Sequence, residues 1–145
     1  MASVRQSGIL AWMHLMRVYN KMQQRSLEHT KQYELTPAQF DVLAQLSVAE
    51  GITQQELARK LLVTKGNVCG LLDRMSAHDL VKRCDDPEDR RSNRLHLTAK
   101  GRALADKVVP AHQAFVLEQL AALSPEEQRF LQMLLRKLDR SLGSE

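Results

Sequence analysis

Asp86-Pro87-Glu88-Asp89-Arg90-Arg91-Ser92-Asn93-Arg94-Leu95-His96-Leu97-Thr98-Ala99-Lys100-Gly101 sets a charged loop between two short segments and then opens a helix. Leu80-Val81-Lys82-Arg83-Cys84 precedes the loop. Arg94-Leu95-His96-Leu97 follows it and alternates polar and apolar residues with the period of two of a half-buried strand. The pair reads as a hairpin. Its loop, Asp85 to Asn93, is too long and too charged for a two-residue turn, and Pro87 has no N–H to give to a ladder, so the loop should project into solvent. Asp85, Asp86, Glu88 and Asp89 are followed by Arg90, Arg91 and Arg94, so carboxylates can hold the guanidinium groups until a stronger anion arrives. Thr98 has the chemistry of an N-cap for the helix that Ala99 and Lys100 enter.

Upstream of the hairpin, Thr53-Gln54-Gln55-Glu56 forms a capping box that opens a helix of barely two turns, with Leu57, Ala58 and Leu61 as its buried side. Leu62-Val63 makes a tight connection. Thr64 can cap the next helix, in which Val68, Leu71, Leu72 and Met75 fall at i, i+3, i+4 and i+7. Two short helices so joined are a helix-turn-helix, whose second helix lies in the major groove of DNA with its N-terminal, outward residues at base edges. Those residues are Thr64, Lys65, Gly66, Asn67 and Gly70, with Arg74 one turn on. Asn67 carries a donor and an acceptor suited to adenine, and Lys65 reaches guanine or a phosphate. Polar residues on an exposed helix face also have a bland reading, since any soluble protein displays them.

Further towards the N-terminus, Thr36-Pro37-Ala38-Gln39 combines an N-cap, a proline at the first helical position and a Gln placed to complete a capping box. Phe40, Leu43, Ala44 and Leu46 stripe that helix, and Gly51 ends the region. From about Ser7 to Lys31, Ile9, Leu10, Trp12, Met13, Leu15, Met16, Val18, Tyr19 and Met22 predict a helix apolar on more than one face, which is expected to pack on its own domain and on another subunit, the alternative being a fully buried core helix in a monomer. Beyond the hairpin, a helix runs from Ala99 to about Ala122, with a bend expected near Lys107 to Pro110. Ser124-Pro125-Glu126-Glu127 caps a last helix striped by Phe130, Leu131, Met133, Leu134, Leu135, Leu138 and Leu142. The two apolar, helical chain ends are expected to associate with each other and with a partner chain.

Composition limits the function classes. With 145 residues, 43% hydrophobic and 26% charged, the chain suits one folded domain, and aromatics at 4% leave the core to Leu, Val, Ala and Met. Residues 53–102 hold eleven Lys/Arg and seven Asp/Glu, an excess that equals the net charge of +4 of the whole chain, so the basic surplus lies around the hairpin and points to a polyanion. No run approaches the roughly eighteen apolar residues of a membrane span, and the N-terminus lacks the pattern of a secretion signal, which predicts a cytoplasmic protein without a membrane partner. Cys69 and Cys84 form no Cys-x-x-Cys pair, and His14, His29, His78, His96 and His112 show no metal-ligand spacing, so neither a metal nor another cofactor is expected. A Gly-rich phosphate loop, a nucleophile elbow and a His-Glu-x-x-His motif are all lacking, so an enzyme is not expected.

Read together, the helix-turn-helix and the Asp86-Pro87-Glu88-Asp89-Arg90-Arg91 hairpin, followed by Leu95-His96-Leu97-Thr98-Ala99-Lys100-Gly101 and supported by Leu71-Leu72-Asp73-Arg74-Met75, resemble the MarR (multiple antibiotic resistance regulator) family over essentially the whole length. The resemblance implies a mainly α fold with a small β-hairpin wing. A winged helix-turn-helix lobe would span 36–101, and a helical dimerisation region would be built from 1–33 and 102–145. It implies a homodimer on double-stranded, pseudo-palindromic operator DNA, with Arg91 entering the minor groove, Asp89 orienting it, Asp73 as a second supporting acid, and Arg90 and Arg94 as phosphate contacts or supports. Cys69 and Gly70 depart from the common pattern, in which a polar residue and then Arg stand at these places.

The implied function is a transcriptional regulator, in the first reading a repressor released by a small phenolic or aromatic effector. Trp12, Met13, Met16, Tyr19 and Phe40 are the candidate pocket, although at helical spacing they read first as core and dimer contacts. The alternatives are a redox-responsive regulator using Cys84, which neighbours Lys82 and Arg83, or Cys69, and a winged-helix module that binds protein and no DNA.

Overall fold

The computed structural model describes residues 2–61, 67–89 and 91–143. Its elements are α1 (Ala2–Lys31), α2 (Pro37–Val48), β1 (Ile52–Thr53), α3 (Gln54–Lys60), α4 (Val68–Ala77), β2 (Val81–Asp85), β3 (Asn93–Leu97), α5 (Ala99–Gln119) and α6 (Pro125–Leu142). The chain is therefore mainly helical with one small antiparallel sheet, in the order β1-β3-β2.

The hairpin forms with Val81 opposite Leu97 and Asp85 opposite Asn93. Strand β1, absent from the sequence reading, adds to the free edge of β3 with Ile52 opposite Leu95 and Thr53 opposite Arg94. Two residues are too few to show an alternation, so only tertiary pairing reveals this strand.

Helix starts follow the capping chemistry. Thr36 with Gln39, Thr53 with Glu56 and Ser124 with Glu127 each make both bonds of a capping box. Thr98 Oγ1 accepts from the Gly101 N–H at 2.9 Å, satisfying one of the N–H groups in the first turn of α5. Helix α4 departs from expectation. Its cap is Asn67, whose Oδ1 accepts from the Gly70 N–H at 2.8 Å, and not Thr64, which lies outside the described residues. Asn caps at least as well as Thr, and a cap at Asn67 keeps Val68 buried as the first residue of the helix. Pro110 lies inside α5, where its missing N–H removes one ladder bond without ending the helix.

The chain divides into two compact units, Met1–His112 and Gln113–Glu145. The first holds the core. Leu43 and Leu46 of α2, Leu57 of α3, Leu72 and Met75 of α4 and Leu95 of β3 are fully buried, joined by Val108 of α5. Each such Leu or Met contributes about 1.5–3 kcal/mol relative to exposure. The predicted α4 stripe of Val68, Leu71, Leu72 and Met75 is buried along its length. At the start of α5, a Cβ on Gly101 would stand 1.9 Å from the Leu80 carbonyl oxygen, so only glycine permits this approach of helix to hairpin.

In the second unit, the apolar stripe of α6 stays exposed in the single chain, with Phe130 at 59% and Leu142 at 78%. The apolar residues of α1, in the first unit, are likewise exposed, with Ile9 at 61% and Trp12 at 64%.

Candidate nucleic-acid interface

Burying the α4 stripe turns the opposite face outward. Asn67, Cys69, Asp73 and Arg74 are exposed there, and Gly70 is half-exposed beside them. Thr64, Lys65 and Gly66 lie outside the described residues. Asn67 also has a structural role, because its amide folds over the first turn as the cap, and a Cβ on Gly70 would meet its Nδ2 at 2.6 Å. Glycine at 70 thus leaves room for the cap, which gives a physical reason for one of the two departures noted in the sequence.

The loop of the hairpin is built by its acids. Asp86, the buried one, accepts from the Glu88 N–H at 3.0 Å through Oδ1, and Arg94 Nη2 lies 3.3 Å from its Oδ2. The Glu88 backbone bond, more than the Arg94 charge, holds the Asp86 carboxyl below the usual range, against the opposing effect of desolvation. The Asp86 N–H donates to Ser92 O at 3.2 Å and closes the loop. Asp89 Oδ1 accepts from the backbone N–H of Arg91 at 2.9 Å, and Asp89 O accepts from the Ser92 N–H at 3.1 Å. Asp89 therefore shapes the turn on which Arg91 stands, and the bond it makes is to the Arg91 backbone. Arg91 itself is exposed at the tip, and Arg90 lies outside the described residues.

Of the two roles read for Arg94, support is the one its contacts carry. Its Nη1 donates to Gly51 O at 2.8 Å while Nη2 faces Asp86, so it ties the loop to the backbone just before β1. Asp73, read from sequence as a second supporting acid, has its contact on a strand of the hairpin. It pairs at 2.7 Å with Arg83 on β2, a contact between helix and strand. At the far end of the sheet, Glu50 Oε1 accepts from the Leu97 N–H at 3.1 Å and from Arg102 Nη2 at 2.8 Å, and Arg102 Nη1 donates to Ser47 O at 3.2 Å. Glu50 and Arg102 were not singled out from sequence, and Arg83 entered there only as a neighbour of Cys84.

The five pocket candidates are not gathered into a described cavity. Trp12, Met13, Met16 and Tyr19 are exposed on α1. Phe40 is half-buried with its ring centroid 4.3 Å from that of His112. Two surface hollows, of about 660 and 520 Å³, are lined by residues between Leu123 and Ser141 and include none of the five. What the fold does assemble beside Phe40 is a ring cluster: His112 and His29 at 5.2 Å, His29 and Tyr33 at 5.6 Å, and the two histidine Nδ1 atoms 3.2 Å apart. Burial first, and then the neighbouring His29, lower the His112 pKa.

Cys69 is exposed on α4 and Cys84 half-buried on β2, both as free thiols. Among the described residues no three His, Cys, Asp or Glu side chains cluster as metal ligands, and no helix is long and apolar enough to cross a membrane.

Residues 33–92 match the family model described as MarR family. An uncharacterised HTH-type transcriptional regulator of Bacillus cereus is 34% identical over 134 residues, which cover 92% of this chain and 89% of that protein. Among solved structures, AbsC, a MarR family transcriptional regulator from Streptomyces coelicolor, superposes with a TM-score of 0.85 at 26% identity, covering 94% of each chain. The MepR–DNA complex of S. aureus gives 0.81 at 26% identity, covering 91% of this chain and 98% of that one. With helix-turn-helix, wing and near full-length similarity in agreement, this chain belongs to the MarR family, whose members are transcriptional regulators and not enzymes.

Proposed function

We propose that the chain is a sequence-specific regulator that binds pseudo-palindromic double-stranded DNA in the cytoplasm as a homodimer, with 36–101 as the DNA-binding lobe and 1–33 with 102–145 as the dimerisation region. The wing carries this reading. An exposed arginine, Arg91, stands on a turn fixed by Asp89, and the loop behind it is tied down through Asp86 and Arg94. A cation carried on a turn held by these hydrogen bonds suits a narrow minor groove, where negative potential is concentrated. The solved S. aureus MepR–DNA complex supports DNA as the partner. In the major groove, α4 would present Asn67, Gly70 and Arg74, preceded in the chain by Thr64, Lys65 and Gly66.

Repression relieved by a small aromatic acid is the regulatory part of the proposal. Two recognition helices must reach successive major grooves about 34 Å apart, so a ligand that shifts their spacing by a few ångströms abolishes the fit. Trp12, Met13, Met16 and Tyr19 are exposed in the single chain, so a pocket that includes them needs a second copy to close it.

Arg91→Ala tests the central claim. Operator affinity in a mobility-shift assay is expected to fall at least about tenfold, the loss of a charge-assisted groove contact, while sedimentation shows the same oligomer. Unchanged affinity removes Arg91 from its assigned role. Binding to duplex DNA that is absent, or present without the steep salt dependence of phosphate contacts, favours the protein-interaction module instead.

A further inference from the structure

We infer that Arg83 is a positioning residue that indexes the recognition helix α4 to the wing, and that it sets operator discrimination without contacting DNA. The inference rests on the DNA-binding reading proposed above. Arg83 sits on β2 opposite Leu95, which is fully buried, so the two side chains share the inner face of the hairpin. Its stem is covered there and its side chain is only 25% exposed. The head emerges against α4 and makes two contacts. Nη1 donates to Asp73 Oδ1 at 2.7 Å, and Nη2 reaches Cys69 O at 3.4 Å.

Cys69 and Asp73 are four residues apart, one turn of the helix, so the guanidinium holds α4 at two levels along its axis. A single contact would fix only a distance, whereas two fix the direction of the helix relative to the strand. The geometry is that of a planar fork, which the point charge of a lysine does not reproduce. Arg94 makes the corresponding attachment from β3, but to Gly51 O and Asp86, so of the strand arginines Arg83 and Arg94 it is Arg83 that grips the recognition helix itself.

This matters because helix and wing read one duplex together. Base edges in the major groove and a cation in the minor groove must be met at the same time, and base hydrogen bonds fail within a few tenths of an ångström. Attraction to phosphates is nearly indifferent to a small rotation of α4. Loosening the Arg83 grip should therefore lower discrimination more than general affinity. An ion pair at this exposure is worth a modest amount, so the effect is severalfold.

The test compares two probes, a duplex that the wild-type protein selects from a randomised pool and sheared genomic DNA of mixed sequence. For Arg83→Ala, the ratio of the two affinities is expected to fall about fivefold, with mixed-sequence affinity within about twofold of wild type and the slope of log affinity against log salt unchanged. Asp73→Ala should lower the ratio similarly, and the double variant no further than either single one, because both remove one coupling. Arg83→Lys should fall between wild type and Arg83→Ala, and it carries the comparison if the alanine variant does not fold. An equal loss on both probes with a salt slope smaller by about one would make Arg83 a phosphate contact and overturn the inference. So would an unchanged ratio, or additive losses in the double variant. Failure of the wild-type protein to select any duplex overturns the DNA-binding reading and the inference with it, whereas selection followed by an unchanged ratio overturns the inference alone.

Discussion

Gly101 shows how a single residue's role stays hidden until the fold is built. In the sequence it follows Thr98-Ala99-Lys100, and a glycine three residues into a helix only lowers helix propensity. In the fold it is the point where α5 touches the backbone of Leu80, and a methyl group would stand 1.9 Å from that carbonyl oxygen. The obstacle is backbone, so nothing nearby can rotate away. Gly101→Ala is therefore expected to destabilise the protein by about 1–3 kcal/mol despite its better propensity, read as a lower midpoint in urea unfolding. A midpoint equal to or above wild type would mean that α5 moves off the hairpin freely. Gly70 is the contrasting case, since its obstacle is the side-chain amide of Asn67 and not backbone. Asn67 also shows where residue-level reading stops. Its side chain suits an adenine edge and a helix N-terminus equally well, and only the position of the first helical turn puts it on the Gly70 N–H.

At the scale of elements, local chemistry was legible and distant pairing was not. Capping boxes and the spacing of Val68, Leu71, Leu72 and Met75 act within one or two turns, so sequence separation and spatial separation coincide. The contacts that place the elements link Arg83 to Asp73, Arg94 to Gly51 and Arg102 to Ser47 across 10, 43 and 55 positions, and no periodicity records such partners. The same holds for the meeting of His29 on α1 with His112 on α5, 83 positions on. That contact has a pH consequence. The His112 pKa is lowered in the fold by burial and by His29, so the unfolded chain binds a proton more readily than the native one as pH falls. Its contribution to stability is complete above the unfolded value of about 6.5 and is lost as pH drops below it. His112→Gln should flatten the fall in urea midpoint between about pH 7.5 and 5.5 relative to wild type. Parallel curves for the two proteins would show that the titration of His112 does not couple to folding.

For the whole molecule, the decisive feature is what one chain leaves uncovered. The sequence predicted that both ends are apolar helices, and the fold exposes Ile9, Trp12 and Tyr19 on α1 and Phe130, Leu134 and Leu138 on α6. Exposed apolar residues scattered singly are ordinary, but two long helices each carrying a stripe are a cost in water that the proposed second copy would remove. Helical spacing alone is the same for core and interface, although the sequence led to the expectation that both chain ends associate with each other and with a partner chain. In the single chain no described residue of α6 is buried, which favours the proposed interface. Charge on α6 should therefore break association while leaving the lobe folded. Leu134→Glu and Leu138→Glu together are expected to shift sedimentation to a monomer at micromolar concentration, with the helical signal in circular dichroism largely kept. Each chain would still carry an intact wing and α4, so single half-sites would bind weakly and with a salt slope about half that of the dimer on a full operator, because half the phosphate contacts are made at once. A variant that stays dimeric would place the subunit interface elsewhere, and one that unfolds on losing its partner would show that the lobe depends on the dimer for its stability.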